Sequence, residues 1–292
     1  MIPQKGITLE AALRDLDSTR WEARAMAAGA LGSVDDADRE AAAAALRRTL
    51  RDDRGEVRFA AAMSLAELRD RAAAPLLVDQ LEDGDGRARE AAALALGRIG
   101  DAEVAWAPLA GKLREGSPAV RFQAAASLAE LNPARAAPLL RVALRDEDAE
   151  VRANAAAGLA EAPHEPETID ALARLLDGEK QPEPRFEAAY ALAQHGDKRA
   201  TLVLHEFLRD EGRAYDAAGA LGQLADPRSI EPLRRLLGRW FAPALVKVRA
   251  AHALVHLGEA AGREYLEKAA GRRREDVSGL AKECLDELAR DR

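Results

Sequence analysis

Apolar positions in this chain recur with the period of a helix, and one arrangement of them returns about every 31 residues. In EVRFAAAMSLAEL, Val57, Ala61, Leu65 and Leu68 follow at intervals of four, four and three, which aligns them as a single stripe along an α-helix. Near copies read AVRFQAAASLAEL, EVRANAAAGLAEA and EPRFEAAYALAQH. Aligned on the central leucine, the copies give Leu31, Leu65, Leu96, Leu128, Leu159, Leu192, Leu221, Leu254 and Leu285, spaced 29 to 34 residues apart. We call each of these helices a B helix. Before it stands an apolar A-helix segment, as in AAPLLVDQL or IEPLRRLL, with Pro75, Pro108, Pro138 or Pro232 expected in the first turn, where a missing N–H is harmless. Joints such as RDDRGE, EDGDGR and RDEDAE supply Asp and Gly for a turn and an N-cap. The pattern predicts an all-α chain of nine helical hairpins, with units at roughly 7–34, 38–69, 72–100, 103–132, 134–162, 166–196, 198–225, 228–258 and 260–290. One hairpin of this size buries too little surface to offset its chain entropy, so neighbouring hairpins must stack.

Composition sharpens this picture. Of 292 residues, 48% are hydrophobic but only 4% aromatic, so alanine does much of the packing and helices must approach closely. No Gly/Ser/Pro-rich linker divides the chain, which reads as a single repeat body over 1–292. No run approaches the eighteen or so apolar residues of a membrane span, and MIPQKGITLEAALRDLD has no signal-type apolar core, so a soluble, cytoplasmic protein is expected. The single cysteine, Cys284, forms no intramolecular disulfide and reads as a small core residue.

The motif D-x-x-V-R-x-x-A-A-x-A-L-x-x-L resembles the HEAT-like repeats named after phycobilisome (PBS) lyases, over nearly the whole chain. That resemblance implies an α-solenoid, a right-handed superhelix with A helices on the convex side and B helices lining the concave side. A basic residue stands seven positions before the leucine in seven copies (Arg24, Arg58, Arg89, Arg121, Arg152, Arg185, Lys247) and is replaced by Ala214 and Ser278 in the others. In such a stack it would pair with loop aspartates such as Asp53, Asp85 and Asp148. The family contains bilin lyases, di-iron hydroxylases and plain scaffolds, so the resemblance implies architecture more than activity.

Function then depends on what the B helices expose. With Val57 as position zero, positions two, three, six and ten lie off the core stripe. Position two carries Phe59, Phe122, Phe186 and Tyr215, and position three carries Gln123, Asn154, Glu187 and Asp216. Position six holds Met63 and Tyr190, and position ten is acidic or amide, as at Glu130. Three of five Phe share one repeat position, which points to an aromatic stripe flanked by carboxylates for a peptide or helix bearing apolar and basic side chains. The competing reading is that the rings only cover alanine-lined gaps. Trp240 and Phe241, in the insertion GRWFAPA, add a second docking candidate.

Catalytic chemistry is sparse. His252 and His256 occupy positions six and ten of the eighth B helix, opposite Glu283 and Glu287 at the same positions of the ninth, and these are ligand types for zinc or iron. The plainer reading is ordinary solvated side chains, and no metal or cofactor is assigned. The two His-Glu dipeptides, His164-Glu165 and His205-Glu206, lie outside the B-helix motif, against a di-iron hydroxylase. A net charge of −7 and an acidic face argue against nucleic acid. The expectation is a non-enzymatic protein-binding scaffold, with a lyase-like or metal-dependent enzyme using the irregular last third as the alternative.

Overall fold

The computed structural model describes residues 8–290. The start of the first unit at residue 7, the segment before it and the final Asp-Arg lie outside the described residues. Among them the chain is all α-helical, without strands. The A helices are α1 (Leu9–Asp15), α3 (Arg39–Thr49), α5 (Ala74–Gln80), α7 (Ala102–Glu115), α9 (Pro133–Ala143), α11 (Pro166–Gly178), α13 (Thr201–Phe207), α15 (Ile230–Gly238) and α17 (Ala260–Ala270). The B helices are α2 (Trp21–Leu31), α4 (Gly55–Glu67), α6 (Gly86–Ile99), α8 (Pro118–Leu131), α10 (Ala149–Ala160), α12 (Pro182–Gln194), α14 (Ala214–Leu224), α16 (Ala244–His256) and α18 (Glu275–Arg290). The chain forms two compact units, Met1–Gly158 and Leu159–Arg292. Within each, B helices pack on their own A helices and on neighbouring B helices, as α2 on α4, α4 on α6 and α6 on α8, and again α14 on α16 and α16 on α18. This is the α-solenoid arrangement.

The motif leucine makes the core. It is fully buried in the first eight repeats, from Leu31 to Leu254, and partly buried at Leu285. Each such burial contributes about 2 kcal/mol of transfer free energy. Alanine does the rest by letting backbones close up, and the closest approach has a fixed address. The residue after the leucine meets the residue before the leucine of the next B helix. A Cβ added to Gly32 would lie 2.8 Å from Ser64 Oγ, one on Gly97 2.6 Å from Ser127 Cβ, and one on Gly222 2.9 Å from Ala253. From the other side of the same kind of contact, a Cβ on Gly158 would lie 2.9 Å from the Ala129 methyl. Where serine occupies this place its hydroxyl is buried, and it donates to a carbonyl one helix back: Ser64 to Ala28 at 2.8 Å and Ser127 to Ala93 at 2.9 Å.

The turn after the B helix is equally repetitive. Four residues past the leucine the backbone takes a left-handed conformation at Arg69, Gly100, Gly196, Ala225 and Gly258. Glycine fits there without strain, whereas Arg69 and Ala225 adopt a conformation that a Cβ disfavours.

The repeated arginine builds a ladder, in a register different from the one expected. Arg58 donates from Nε and Nη2 to the Asp83 carboxylate at 2.7 and 2.5 Å, and from Nη1 to the Asp52 carbonyl at 2.8 Å. Asp52 in turn accepts two bonds from Arg24, at 2.7 and 2.8 Å. Arg121 repeats the fork on Asp146, whose carbonyl accepts from Arg152 at 2.8 Å. The aspartates bound by the fork are thus Asp52, Asp83 and Asp146. Of those expected, Asp53 adds a single contact to Arg24, while Asp85 and Asp148 are N-caps instead: Asp85 accepts from the Arg87 and Ala88 amides, and Asp148 from those of Glu150 and Val151. A carboxylate two residues closer to the helix start is claimed by the orphan amides of that first turn.

Two further expectations change. Pro108 and Pro138 sit inside α7 and α9, because these A helices begin a turn or more earlier, at Asp101 and Asn132 caps. The sequence DGEKQPEP (177–184) reads as a long joint before the sixth B helix, but the break is only residues 179–181, since Pro182 is accommodated in the first turn of α12.

Candidate binding surface on the B helices

In the first unit, B-helix position two faces solvent where it carries a ring. Phe59 on α4 is 38% exposed and Phe122 on α8 is 36% exposed. Met26 on α2, one position further along its own repeat, is 68% exposed and was not singled out from the sequence, because no neighbouring copy has a bulky apolar residue there. Met63 and Gln123 are half-buried beside these rings, and Glu130 is exposed. Asn154 of α10 donates to the Phe122 carbonyl at 2.7 Å and so ties the backbone under the ring to the next B helix. Position ten is partly neutralised: Glu67 pairs with Arg98 of α6 at 2.7 Å.

The same positions behave differently in the second unit. Phe186 is only 5% exposed, so it is not a surface anchor. Its ring packs edge-on against Phe207 of α13 at 5.0 Å between centroids and lies 6.0 Å from Tyr190. Arg213 covers both phenylalanines, with its guanidinium carbon 5.7 and 5.8 Å from the two ring centres. That arginine is held by Asp210 at 3.1 Å and by Glu183. Thus the seventh repeat, which has Ala214 in place of the ladder residue, places its arginine one position earlier and uses it to seal an aromatic core.

Beside this core lies a polar row, half-buried except for the exposed Asp216. Glu187 and Tyr190 of α12 face Tyr215 and Asp216 of α14, and Arg249 of α16 stacks on Tyr215 at 5.4 Å. Burial, with the Asp216 charge added, raises the Glu187 carboxyl above its ordinary value, and the same two causes raise Tyr190. Gly219 makes room for Arg249, since a Cβ there would meet Nε at 2.6 Å. Neither Gly219 nor Arg249 was visible as a site residue, although both occupy outward repeat positions, six and three.

At the other end of α16, His252 is buried rather than solvent-facing, and its ring meets that of His256 edge-on at 4.6 Å. Glu287 of α18 reaches His252 Nε2 at 3.5 Å. Glu283, one turn earlier, is exposed and does not belong to this group. Trp240 and Phe241 lie between α15 and α16 and are 87% and 93% exposed.

Stacked hairpins with an apolar B-helix seam, an arginine–aspartate ladder and a repeated left-handed turn define an α-solenoid repeat protein. The sequence comparison names the class further: the model for HEAT repeats matches residues 8–97, 49–111, 75–148, 107–193 and 138–216, and the model for the PBS lyase HEAT-like repeat matches 214–239. The chain belongs to the HEAT repeat proteins. No curated protein matches it in sequence. Among solved structures it is similar to YibA of Escherichia coli, with 20% identity, 85% of this chain and 92% of that one covered, and a TM-score of 0.60. It is also similar to the CpcE–CpcF complex of phycocyanin lyase from Nostoc sp., with 22% identity, 95% and 94% covered, and a TM-score of 0.50. A homology model of the full-length AP-3 complex matches at 15% identity, 90% and 52% covered, and a TM-score of 0.63. These likenesses carry the fold. No helix among the described residues is long and apolar enough to cross a membrane.

Proposed function

We propose that the chain is a non-enzymatic protein-binding module or assembly scaffold that takes an extended or helical segment of a protein partner on the B-helix face of its first unit. The observation that carries this reading is the pair Phe59 and Phe122, both more than a third exposed at one repeat position in a chain with only five phenylalanines. Exposed rings on rigid helices bind with little ordering cost on the receptor side. The acidic balance of the chain and the exposed Glu130 favour a partner segment that combines apolar with basic side chains. Met26 extends the apolar row, and Met63, Gln123 and Asn154 form its floor. The second unit, taken by itself, offers a more polar patch at Glu187, Tyr190, Tyr215 and Asp216 with the same preference for cationic groups, and the exposed Trp240 and Phe241 form a separate contact. The place of action in this reading is the cytoplasm.

Selection from a random peptide library tests the proposal. The enriched sequences are expected to combine aromatic or aliphatic residues with Lys or Arg. Replacing Phe59 and Phe122 together by alanine should weaken their binding by roughly 30-fold to nearly 1,000-fold, at about 1–2 kcal/mol per anchor. Enriched peptides that bind the double variant as tightly as the wild type would overturn the reading.

A further inference from the structure

His252, His256 and Glu287 present three donor atoms that all lie within 4.8 Å of one another. We propose that these three side chains form a binding site for one divalent late transition-metal ion, with Zn²⁺ as the expected occupant. The proposal is independent of the peptide-binding reading.

The geometry comes from the helices. His252 and His256 are four residues apart on α16 and therefore project from one side of it, one turn from each other. α18 packs against α16 and brings Glu287 across the seam. Three atoms no more than 4.8 Å apart share a point within about 2.8 Å of each, and zinc–nitrogen and zinc–oxygen bonds are about 2.0–2.2 Å, so a shift of under about 1 Å per ligand closes the site. The ligands can make that shift. His252 is buried and anchored in the seam, whereas His256 and Glu287 are exposed and free to change rotamer at their outer ends. Arg249, the cation nearest in sequence on the same helix, is turned toward α14, where it stacks on Tyr215.

Ligand type decides the ion. Two imidazoles and one carboxylate suit Zn²⁺ and its neighbours Co²⁺, Ni²⁺ and Cu²⁺, whereas Mg²⁺ and Ca²⁺ require mostly oxygen. Three protein ligands leave at least one coordination position open on the exposed side, which a water or a side chain of a bound protein would fill.

The test uses the full chain, free of any polyhistidine tag, titrated with Co²⁺ as a spectroscopic probe and with Zn²⁺ in competition. One Co²⁺ per chain should give visible d–d absorption that Zn²⁺ abolishes. His256→Ala should weaken binding by more than about 100-fold and Glu287→Gln by at least about tenfold, because each removes a direct ligand rather than a supporting group, whose loss alone costs about 10–100-fold. Both variants alter exposed side chains and should melt like the metal-free wild type. His164→Ala, in the separate His164–His195 ring pair, is the control and should leave binding unchanged. Absence of a saturable Co²⁺ band in the wild type, or equal binding by wild type and His256→Ala, would overturn the proposal.

Discussion

The two compact units use one repeat in opposite ways. In Met1–Gly158 the motif arginine is spent on the ladder, and the aromatic at position two is left on the surface. In Leu159–Arg292 the ladder residue is missing at Ala214, Arg213 stacks on rings instead, and the aromatic at position two is sealed beneath it. A solenoid position is therefore defined by what the neighbouring repeat places over it, and the same residue type at the same address is surface in one unit and core in the other.

The most severe challenge to this contrast is a matched pair of truncations. Phe186→Ala should destabilise the protein by about 3 kcal/mol, since it empties a buried aromatic contact with Phe207. Phe122→Ala should cost less than about 1 kcal/mol. Chemical denaturation of both variants checks this, and equal losses would erase the distinction between the units.

A next-largest effect is expected at the close approach of B helices. Gly97→Ala places a methyl 2.6 Å from Ser127 Cβ and 2.9 Å from its Cα, so the backbone of α8 must move. A loss of about 2 kcal/mol in urea melts is expected despite alanine's better helix propensity. Gly111→Ala, with open space around its Cβ position, should instead be neutral or slightly stabilising.

The ladder contributes less per rung and carries a pH signature. Burial pushes the Asp83 carboxyl up, but the Arg58 guanidinium and the Asp85 amide outweigh it and hold the group below the ordinary carboxylate value. Asp52 and Asp146 are lowered by the same balance of causes. A folded-state value below the unfolded one means that this stabilisation is complete above the unfolded value, about 4, and is lost as pH falls through the folded one. Asp83→Asn should cost about 1 kcal/mol at pH 7, solvent screening included, and should flatten the fall in stability between about pH 5 and 2. A variant with the wild-type acid profile would show that the rung carries no linkage. Glu187 has the opposite sign: its raised value costs stability as pH rises through it, so Glu187→Gln should be neutral or stabilising at pH 7.

The smallest expected change links the units again. Arg69→Gly and Ala225→Gly relieve the left-handed turn, one in each unit, and should each raise stability by about 0.5 kcal/mol, the gain being partly offset by glycine's greater freedom when unfolded.

Helix period, hairpin order and the burial of the motif leucine were legible in the sequence because each depends on one helix or on nearest neighbours. Ladder register was not, since RDDRGE and EDGDGR each offer more than one carboxylate and only the competition with N-capping decides between them. Phe186 was misplaced for a related reason: its cover, Phe207 and Arg213, comes from the adjacent repeat and breaks the motif. The grouping of His252, His256 and Glu287 followed from repeat arithmetic, while the burial of His252 and the exclusion of Glu283 required the packing of α18 on α16.

Hydrogen exchange on the complex with a library-selected peptide tests the central claim most directly. New amide protection is expected in α4 and α8, under Phe59 and Phe122, with little change in the A helices α3 and α9, even though α9 carries the exposed Val142. Protection confined to the A helices, or to the Trp240–Phe241 loop, would contradict it.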